Sequence, residues 1–316
     1  MKEKIIAVVG PTASGKTALS IRLAQALDGE IISCDSMQIY RGMCIGTAAP
    51  TVEEMAGIPH HLIGILPPSE EFSVADYRER AAACIEDITS RGKTPIFCGG
   101  TGLYLDALLR VSEFSEVEKS EELRRELTEY AAVNGNEALH AQLAEVDPDA
   151  AVAIHPNNVR RVVRALEMYR LTGVTKTEWD KRSLVQDQAY DARILALDYH
   201  DRTILHRRIE MRVNQMMEMG LEAEVRALYE AGLLKPKSIA GQAIGYKELL
   251  GYFEGAQTLD AAIAELKGAT RRYAKRQMTW FRAKKYVEFI DADLDGRARS
   301  FEDIVNSASN LFCCDR

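Results

Sequence analysis

The chain has 316 residues, 47% of them hydrophobic and 28% charged, which is enough to bury a full core in one large domain or two. It has no run of about 18 apolar residues and no signal-peptide pattern, and its six cysteines form no CxxC pair, so we expect a cytoplasmic protein with reduced thiols and no membrane association. The net charge of −7 argues against a protein that coats nucleic acids non-specifically, because such binding requires Lys and Arg to neutralise phosphates.

Short β-rich runs alternate with segments of helical periodicity along the chain. The runs cover residues 4–9, 30–34, 94–98 and 193–197, and helices are predicted at 17–27 and 74–91. This alternation predicts an α/β fold, with βαβ units around a parallel sheet flanked by helices. Each of the first three runs ends in a loop of small or polar residues. Because ligands collect at the carboxyl ends of parallel strands, we expect these loops to meet at one crevice.

The first of these loops, residues 10–17, has the sequence GPTASGKT and fits the phosphate-loop pattern G-x-x-x-x-G-K-[ST]. It follows a predicted strand and begins a predicted helix, as the motif requires, so the fold is expected to be P-loop NTPase-like. Backbone N–H groups would bind phosphate oxygens, Lys16 would neutralise the terminal phosphate, and the Thr17 hydroxyl would hold Mg²⁺. The candidate phosphate-binding residues are Gly10, Pro11, Thr12, Ala13, Ser14, Gly15, Lys16 and Thr17.

The loops after the second and third strands carry further candidate site residues. Asp35 follows the second strand and could be a magnesium ligand, a general base or a helix N-cap. In GGTGLY, residues 99–104, the glycines permit close backbone approach and Thr101 presents a hydroxyl, although a capped turn explains the same pattern. The adjacent His60 and His61 do not indicate a metal site. A phosphate loop alone does not distinguish an NTPase, a kinase and a transferase that uses another diphosphate.

The composition changes near residue 111 to charged, helix-forming stretches without a strong strand signal. We therefore predict a discontinuous core domain, residues 1–112 and 193–316, and an all-helical insertion domain at 113–192. Within the insertion, Arg160 and Arg164 share one helix face at i,i+4. They could contact RNA or pair with the insertion's own carboxylates.

A long amphipathic segment at residues 201–231 follows the last of these strands, and Gly232 offers a C-terminal stop. Three cations, Arg207, Arg208 and Arg212, lie near its start, where positive charge does not favour a helix. This arrangement indicates a bound anion, and Arg208 is our candidate clamp for it.

A strongly basic segment, RRYAKRQMTWFRAKK, occupies residues 271–285 and contains no acidic residue. Such a segment in an acidic protein either binds an anion or is neutralised internally, and the aromatic residues among the charges suit base stacking as well as core packing. We interpret it as a nucleic-acid contact, with a solvated face as the alternative. The candidate contacts are Arg271, Arg272, Lys275, Arg276 and Arg282.

Taken in order, the motifs resemble those of the tRNA dimethylallyltransferase (tRNA isopentenyltransferase, IPP transferase) family. From residue 5 to about 290 they are GPTASGKT, DSMQIYRGMCIGTA, GIPHHL, FSVADY, GGTGLY, NNVRRVVRALE, HRRIEMRVNQMMEMGLEAEV, AIGYKE and RRYAKRQMTWFR. The chain departs from the family at Cys44 and Gly64, where Asp is usual or frequent. It lacks the C-terminal zinc finger of eukaryotic relatives, which implies a bacterial type.

The resemblance implies transfer of a dimethylallyl group from dimethylallyl diphosphate to N6 of adenosine 37 in tRNA, with Mg²⁺ and release of diphosphate. In that family the phosphate loop binds the prenyl diphosphate, so an ATP-binding assignment would rest on the motif alone. The family's helical insertion helps to grip the anticodon stem-loop, so the resemblance implies the same role for residues 113–192. The tRNA-contacting stretches of the family match Asp35, Ser36, Met37, Gln38, Thr101, Asn158, Val159, Arg160, Arg161 and Val162, together with Arg124 and Gln242.

The chemistry of this reaction suggests roles for the candidate catalytic residues. Adenine N6 is a poor nucleophile, so Asp35 is our candidate base, and Thr101 and Gln38 are candidate hydrogen-bonding partners of the extruded adenine. The leaving diphosphate would be stabilised by Lys16, by Mg²⁺ on Thr17 and by Arg208.

We expect the chain to be a monomer. Three other functions share parts of this pattern. A small-molecule P-loop kinase would not require the basic helix. A prenyltransferase acting on free adenine nucleotides would not require the insertion. A non-catalytic RNA-binding protein would not be expected to keep both Lys16 and Thr17 intact.

Overall fold

The computed structural model describes residues 2–109, 120–184, 189–235 and 238–313. The chain divides into two compact units, an α/β unit made of residues 1–109 and 190–316 and a helical unit made of residues 110–189. The insertion predicted at 113–192 overlaps the helical unit.

The α/β unit is built on a six-stranded sheet. In chain order its strands are β1 Lys4–Val9, β2 Gly29–Cys34, β3 His60–His61, β4 Thr94–Gly99, β5 Asp191–Asp198 and β6 Val287–Asp291, and a hairpin of β7 Asp293–Leu294 and β8 Arg297–Ala298 follows. The strand order is β3-β2-β4-β1-β5-β6, and every neighbouring pair is parallel. All carboxyl ends therefore lie along one edge, which confirms the predicted parallel α/β sheet.

Helices flank this sheet and make up the helical unit. In chain order they are α1 Lys16–Ala26, α2 Val52–Met55, α3 Val74–Ser90, α4 Gly102–Leu109, α5 Glu121–Asn134, α6 Asn136–Val146, α7 Pro148–Ala153, α8 Val159–Thr172, α9 Lys176–Leu184, α10 Arg202–Glu218, α11 Leu221–Glu230, α12 Lys247–Phe253, α13 Leu259–Arg282 and α14 Phe301–Cys313, with a 3₁₀ turn at Ala240–Gln242. Local signals fix several of their starts. For example, Ser73 and Asp76 form a capping box that begins α3.

The central strands are buried on both faces, which is why they appear in the sequence as continuous apolar runs. Along β1, Ile5 and Val9 belong to the core cluster on one face, and Ile6 and Val8 belong to the cluster on the other. Each such side chain contributes about 1.5–3 kcal/mol relative to an exposed one. The strand ends are therefore firmly held, and so are the loops that follow them.

Three features differ from the sequence prediction. His60 and His61 form a two-residue edge strand paired with Ile31 and Ile32 of β2. Strand β6 was not predicted, because its burial is uneven and its run is short. The segment at 201–231 is two helices, because Gly220 adopts φ of 97° between α10 and α11 and so ends the first helix.

In the helical unit, α5 to α9 cover most of the described residues and no strand occurs among residues 120–184. Its core is aliphatic and includes Leu127, Leu139, Leu143, Val162 and Leu166. Within the described part of the whole chain, no helix is both long and apolar enough to cross a membrane.

Candidate active site

A cavity of about 320 Å³ lies at the carboxyl edge of the sheet. Its walls include the phosphate loop (residues 10–17), the Asp35 loop (residues 35–38), the end of β4, and helices α10 and α13. Its polar and charged lining includes Thr12, Lys16, Thr17, Asp35, Gln38, Arg212, Tyr273, Arg276 and Gln277, and the predicted RNA contacts Ser36, Met37 and Gln242 also line it. Apolar lining residues include Ala48, Pro50, Ile63, Ile209, Val213 and Met216. The cavity thus suits a ligand with an anionic and an apolar part.

The phosphate loop has the backbone conformation of an anion cradle. The φ angles are 138° at Gly10, 62° at Ala13 and 99° at Gly15, all positive. Helix α1 begins at Lys16, near the end of the loop, and the N–H groups of its first turn have no acceptor inside the helix. These N–H groups and the helix dipole both favour a negative ligand.

Lys16 and Thr17 lie where the loop meets the cavity. The Lys16 ammonium folds back to within 3.3 Å of the Pro11 carbonyl oxygen. Burial lowers the pKa of Lys16, and the negative charge of the nearby Asp35 opposes that shift. In the described part of the chain Lys16 forms no ion pair with a carboxylate, so its charge is available to an anionic ligand.

Arg208 and Arg212 lie on the same helix but face different spaces. Arg208 donates its Nε–H to the carbonyl oxygen of Ala13 at 2.8 Å and lines a separate cavity of about 130 Å³ with Ser14 and Tyr199. Arg212, one turn later, lines the main cavity. Its pKa is lowered by burial, which identifies it as a poorly hydrated cation. The arrangement favours Arg208 as a support of the loop and Arg212 as the residue that faces a ligand.

The Asp35 loop is held by its own hydrogen bonds. The Oδ1 atom of Asp35 accepts the N–H of Met37 at 2.9 Å, whereas Oδ2 has no hydrogen-bond donor among the described residues. Gln38 accepts the Ser33 hydroxyl at 2.8 Å and donates its amide to the carbonyl oxygens of Thr47 and Ala48, each at 3.3 Å. One carboxylate oxygen therefore fixes the loop and the other remains available for chemistry.

Thr101 and the neighbouring glycines contact the Asp35 loop and help to hold it in place. Thr101 Oγ1 accepts the N–H of Ser36 at 3.1 Å and also bonds the Tyr273 hydroxyl, whose pKa is raised by burial and then by the charge of Asp35. A Cβ on Gly99 would lie 2.1 Å from the Cys34 carbonyl oxygen, and one on Gly100 would lie 1.9 Å from the Gln277 amide. The predicted close approach is therefore present, but the approaching groups belong to the chain itself.

Helix α13 carries the basic segment, but some of its cations are already paired with carboxylates of this chain and only the others are available to bind RNA. Arg271 pairs with Glu210 at 2.9 Å, and Arg282 pairs at 2.6 Å with Asp198, whose side chain is 8% exposed. Arg276 lines the cavity and stacks over the Tyr273 ring at 5.6 Å. Arg272 and Lys275 are exposed. Internal neutralisation, the alternative to RNA contact, thus holds for two of the five predicted contacts, Arg271 and Arg282.

A carboxylate that the sequence did not single out fixes another wall of the cavity. Glu224 on α11 accepts the backbone N–H groups of Cys44, Ile45 and Gly46 at 2.8–3.0 Å and the Tyr246 hydroxyl at 2.6 Å. The Cys44 departure from the family pattern leaves these bonds intact, because the contact is made by its backbone.

The other departure, Gly64, lies in a turn held by backbone contacts. Gly64 adopts φ of 60°, and its N–H bonds the Gln38 carbonyl oxygen at 2.8 Å. Its own carbonyl oxygen accepts the Nε–H of Arg41 at 3.1 Å. Gly64 therefore helps to hold the Asp35 loop through its bond to the Gln38 backbone, and it does not line the cavity.

The candidate RNA contacts of the helical unit separate into paired and exposed residues. Glu167 is fully buried and accepts hydrogen bonds from Ser120 N–H, Arg124 and Arg164 at 3.0, 2.9 and 2.6 Å. Arg160 and Arg161 on the same helix are exposed, as is Asn158, and Val159 is half-buried. Val162 is 0% exposed because its side chain packs in the core of the helical unit, and RNA contact at this position stays a prediction.

Comparisons with known proteins agree with the family resemblance. A family model described as IPP transferase matches residues 38–284, and one described as isopentenyl transferase matches residues 3–63. The chain is 52% identical over 291 residues to a tRNA dimethylallyltransferase of Geobacillus thermodenitrificans, with 92% of this chain and 91% of the relative covered. It is 49% identical to that of Halalkalibacterium halodurans over 93% of both chains.

Two solved structures also match this chain over nearly its full length. A tRNA isopentenylpyrophosphate transferase from Bacillus halodurans gives a TM-score of 0.73 at 45% identity, with 99% of this chain and 96% of that chain covered. A eukaryotic dimethylallyltransferase described as acting on tRNA gives a TM-score of 0.83 at 33% identity, with 99% and 80% covered. The likeness therefore extends over both units of this chain.

Proposed function

The chain belongs to the IPP transferase family, and we propose that it transfers a dimethylallyl group from dimethylallyl diphosphate to N6 of adenosine 37 in tRNA. The observation that carries this proposal is that Lys16, Arg212 and Asp35 line one cavity together with apolar residues. The cations suit a diphosphate, and the carboxylate suits an amine that must lose a proton. The reaction would take place in the cytoplasm, and the monomeric state stays a prediction.

The leaving group is diphosphate, whose negative charge grows as the bond between oxygen and the allylic carbon breaks. The N–H groups at the start of α1, the Lys16 ammonium and the Arg212 guanidinium would stabilise that charge. Both cations are partly removed from water, which strengthens their interaction with an anion.

The donor set around Thr17 fits Mg²⁺ bound together with substrate. No group of three or more His, Cys, Asp or Glu residues that could hold a metal occurs among the described residues. Mg²⁺ usually takes one or two protein oxygens plus phosphate oxygens and water, and the Thr17 hydroxyl next to Lys16 provides such an oxygen. When bound, the ion would neutralise part of the diphosphate charge.

Asp35 is the proposed general base. As the bond between N6 and the allylic carbon forms, the amine must lose a proton, and Oδ2 of Asp35 is the carboxylate oxygen that holds no other hydrogen bond from the described residues. The adenine must leave its stack to reach the cavity, which costs a few kcal/mol in a loop. Gln38, which lines the cavity, and Tyr273, beside Asp35, would then meet the extruded base.

The RNA would be held by cations that form no ion pair with a carboxylate among the described residues. On α13 these are Arg272, Lys275 and Arg276, and on α8 they are Arg160 and Arg161. Such contacts position the anticodon stem-loop through its phosphates and carry no sequence information of their own.

An acceptor assay tests the proposal against its alternatives. The protein would be incubated with labelled dimethylallyl diphosphate, Mg²⁺ and either unmodified tRNA, AMP or ATP. We expect label only in tRNA, at adenosine 37. Label in a free nucleotide would identify an adenine-nucleotide prenyltransferase. ATP consumption with phosphoryl transfer and no prenylated RNA would identify a kinase instead.

A further inference from the structure

Gln277 joins the two loops that the proposed reaction brings together. It lies within the basic helix α13 and is only 5% exposed. Its Oε1 atom accepts the N–H of Thr12 in the phosphate loop at 2.9 Å, and its Nε2 atom donates to the carbonyl oxygen of Gly100 at 3.0 Å. We propose that Gln277 is a positioning residue that fixes the diphosphate cradle relative to the general base.

A short series of hydrogen bonds connects these two groups. Thr101 follows Gly100 in the chain. Its hydroxyl accepts, at 3.1 Å, the N–H of Ser36, which is the residue directly after Asp35. Thr12 lies four residues before Lys16 in the phosphate loop. A shift of the Gln277 amide would therefore change the separation of the leaving group from the base. Errors of about 1 Å in such a separation can cost a hundredfold in rate.

Only a group that accepts and donates at once satisfies both contacts. The Gln277 amide does so with its oxygen and its NH₂ group, whereas a methionine of similar length has no donor and only a weak acceptor. A carboxylate could accept the Thr12 N–H but could not donate to Gly100, and it would place a negative charge in the wall of the diphosphate cavity. A protonated carboxylic acid restores both contacts, because its carbonyl oxygen accepts and its hydroxyl donates.

There is little room for these groups to rearrange. A Cβ on Gly100 would lie 1.9 Å from Nε2 of Gln277, so the amide touches the glycine directly. Three residues further along α13, Trp280 packs in the same way against Gly102, where a Cβ would lie 2.3 Å from the indole. The helix therefore holds the glycine loop (residues 99–102) at two points, and Gln277 is the one that also reaches the phosphate loop.

This inference rests on the proposed function and is tested with Q277E and Q277M in the full chain. Gln257 supplies the matched control: its amide donates to the Glu248 carbonyl oxygen at 2.9 Å, outside the cavity, so Q257E makes the same chemical change elsewhere. For each variant we would measure the single-turnover rate of prenyl transfer to tRNA between pH 6 and 8, the affinity for inorganic diphosphate by calorimetry, the affinity for tRNA, and the melting temperature.

At pH 8 we expect Q277E and Q277M to transfer the prenyl group roughly 10- to 100-fold more slowly than the wild type, with tRNA affinity unchanged within about twofold. The ratio of the Q277E rate to the wild-type rate should rise at least about fivefold from pH 8 to pH 6, because protonation restores the donor to Gly100. The Q277M ratio should stay flat, and Q257E should match the wild type.

Several results would overturn the inference. One is a wild-type rate and diphosphate affinity in Q277M, and another is a flat pH ratio in Q277E. Loss of folded protein in both variants would assign Gln277 a purely structural role. If the wild type itself prenylates no tRNA, the proposed function fails, but the loop contact is still judged by diphosphate binding: it must weaken in Q277M and recover at low pH in Q277E.

Discussion

Replacing Asp35 by Asn separates its charge from its structural contact. The Oδ1 atom accepts the Met37 N–H at 2.9 Å, and the amide oxygen of Asn can accept the same bond, so the loop should keep its shape. What disappears is the capacity of the other oxygen to take a proton from adenine N6. General-base catalysis is worth about 10²- to 10⁴-fold in rate, or roughly 3–5 kcal/mol, so we expect a loss of that size in the single-turnover rate.

The same substitution should have the opposite effect on donor binding. Asp35 is close enough to Lys16 to influence its pKa, so the carboxylate also repels a diphosphate bound there. We therefore expect Asp35→Asn to bind dimethylallyl diphosphate at least as tightly as the wild type, and tRNA within about threefold. Rapid-quench transfer of label, with calorimetry for each substrate, measures both effects.

Asp201→Asn is the matched control. Its Oδ1 atom accepts the N–H of Thr203 at 2.8 Å in a similar turn that caps α10, and Asp201 is not among the residues that line the cavity. This variant should transfer the prenyl group at the wild-type rate. A near-normal rate in Asp35→Asn would remove Asp35 as the base. A rate that falls together with the melting temperature or with tRNA affinity would show that its role is structural.

Four further variants test charges in the cavity, in the phosphate loop's support, on α13 and in the helical unit. Arg212→Leu should weaken binding of inorganic diphosphate about 10- to 100-fold by calorimetry, and Arg208→Leu should weaken it less, because a charge-assisted hydrogen bond to the ligand contributes about 1.5–3 kcal/mol. Replacing Arg272 and Lys275 together by Ala should weaken tRNA binding and lower the slope of log affinity against log salt by about 1.5–2. Glu167→Gln should destabilise the helical unit by about 3 kcal/mol at pH 7, seen as faster hydrogen exchange in α5 and α8. Burial alone would raise the pKa of Glu167, but hydrogen bonds, the one from Arg164 foremost, lower it below 4.5, so its stabilising effect should persist above that pH and fade as the pH falls through the folded value.

Each of these expectations has a result that would contradict it. A larger loss of diphosphate affinity in Arg208→Leu than in Arg212→Leu would restore Arg208 as the diphosphate clamp. Arg271→Ala is the control for RNA binding, because Arg271 already pairs with Glu210. An equal loss of salt dependence in this variant would show that an internally paired cation still contributes to RNA binding. Equal exchange rates in wild type and Glu167→Gln at pH 7 would mean that the buried carboxylate does not stabilise the unit.

The sheet and its loops were predictable because their signals are local. A run such as IIAVV, followed by a glycine-rich loop and a helix start, specifies a buried strand and a phosphate cradle within fourteen consecutive residues, 4–17. The insertion was visible because its composition changes at residue 111. The break at Gly220 was missed because the apolar spacing continues through it, and the positive φ that ends the helix leaves no mark on that spacing.

The choice between Arg208 and Arg212 could not be made from the sequence. Both lie on α10 one turn apart, and their spacing in the sequence does not show where either side chain lies relative to the phosphate loop. What separates them is where the helix lies. One guanidinium reaches the outer side of the loop at Ala13, and the other lines the cavity.

The residues that join the walls of the cavity were hidden for a different reason. Gln277 contacts Thr12 across 265 positions of chain, and Glu224 contacts Cys44 across 180. Each lies in a helix whose neighbouring charges dominate the pattern, so one neutral amide or one more carboxylate does not stand out. Apart from the Tyr246 hydroxyl, their partners are backbone N–H and carbonyl groups, which nearly every residue possesses, so these contacts give no complementary residue type to recognise. Side chains that fix loops through backbone contacts are thus the part of a site that a single sequence conceals, and the proposed positioning role of Gln277 depends on such contacts.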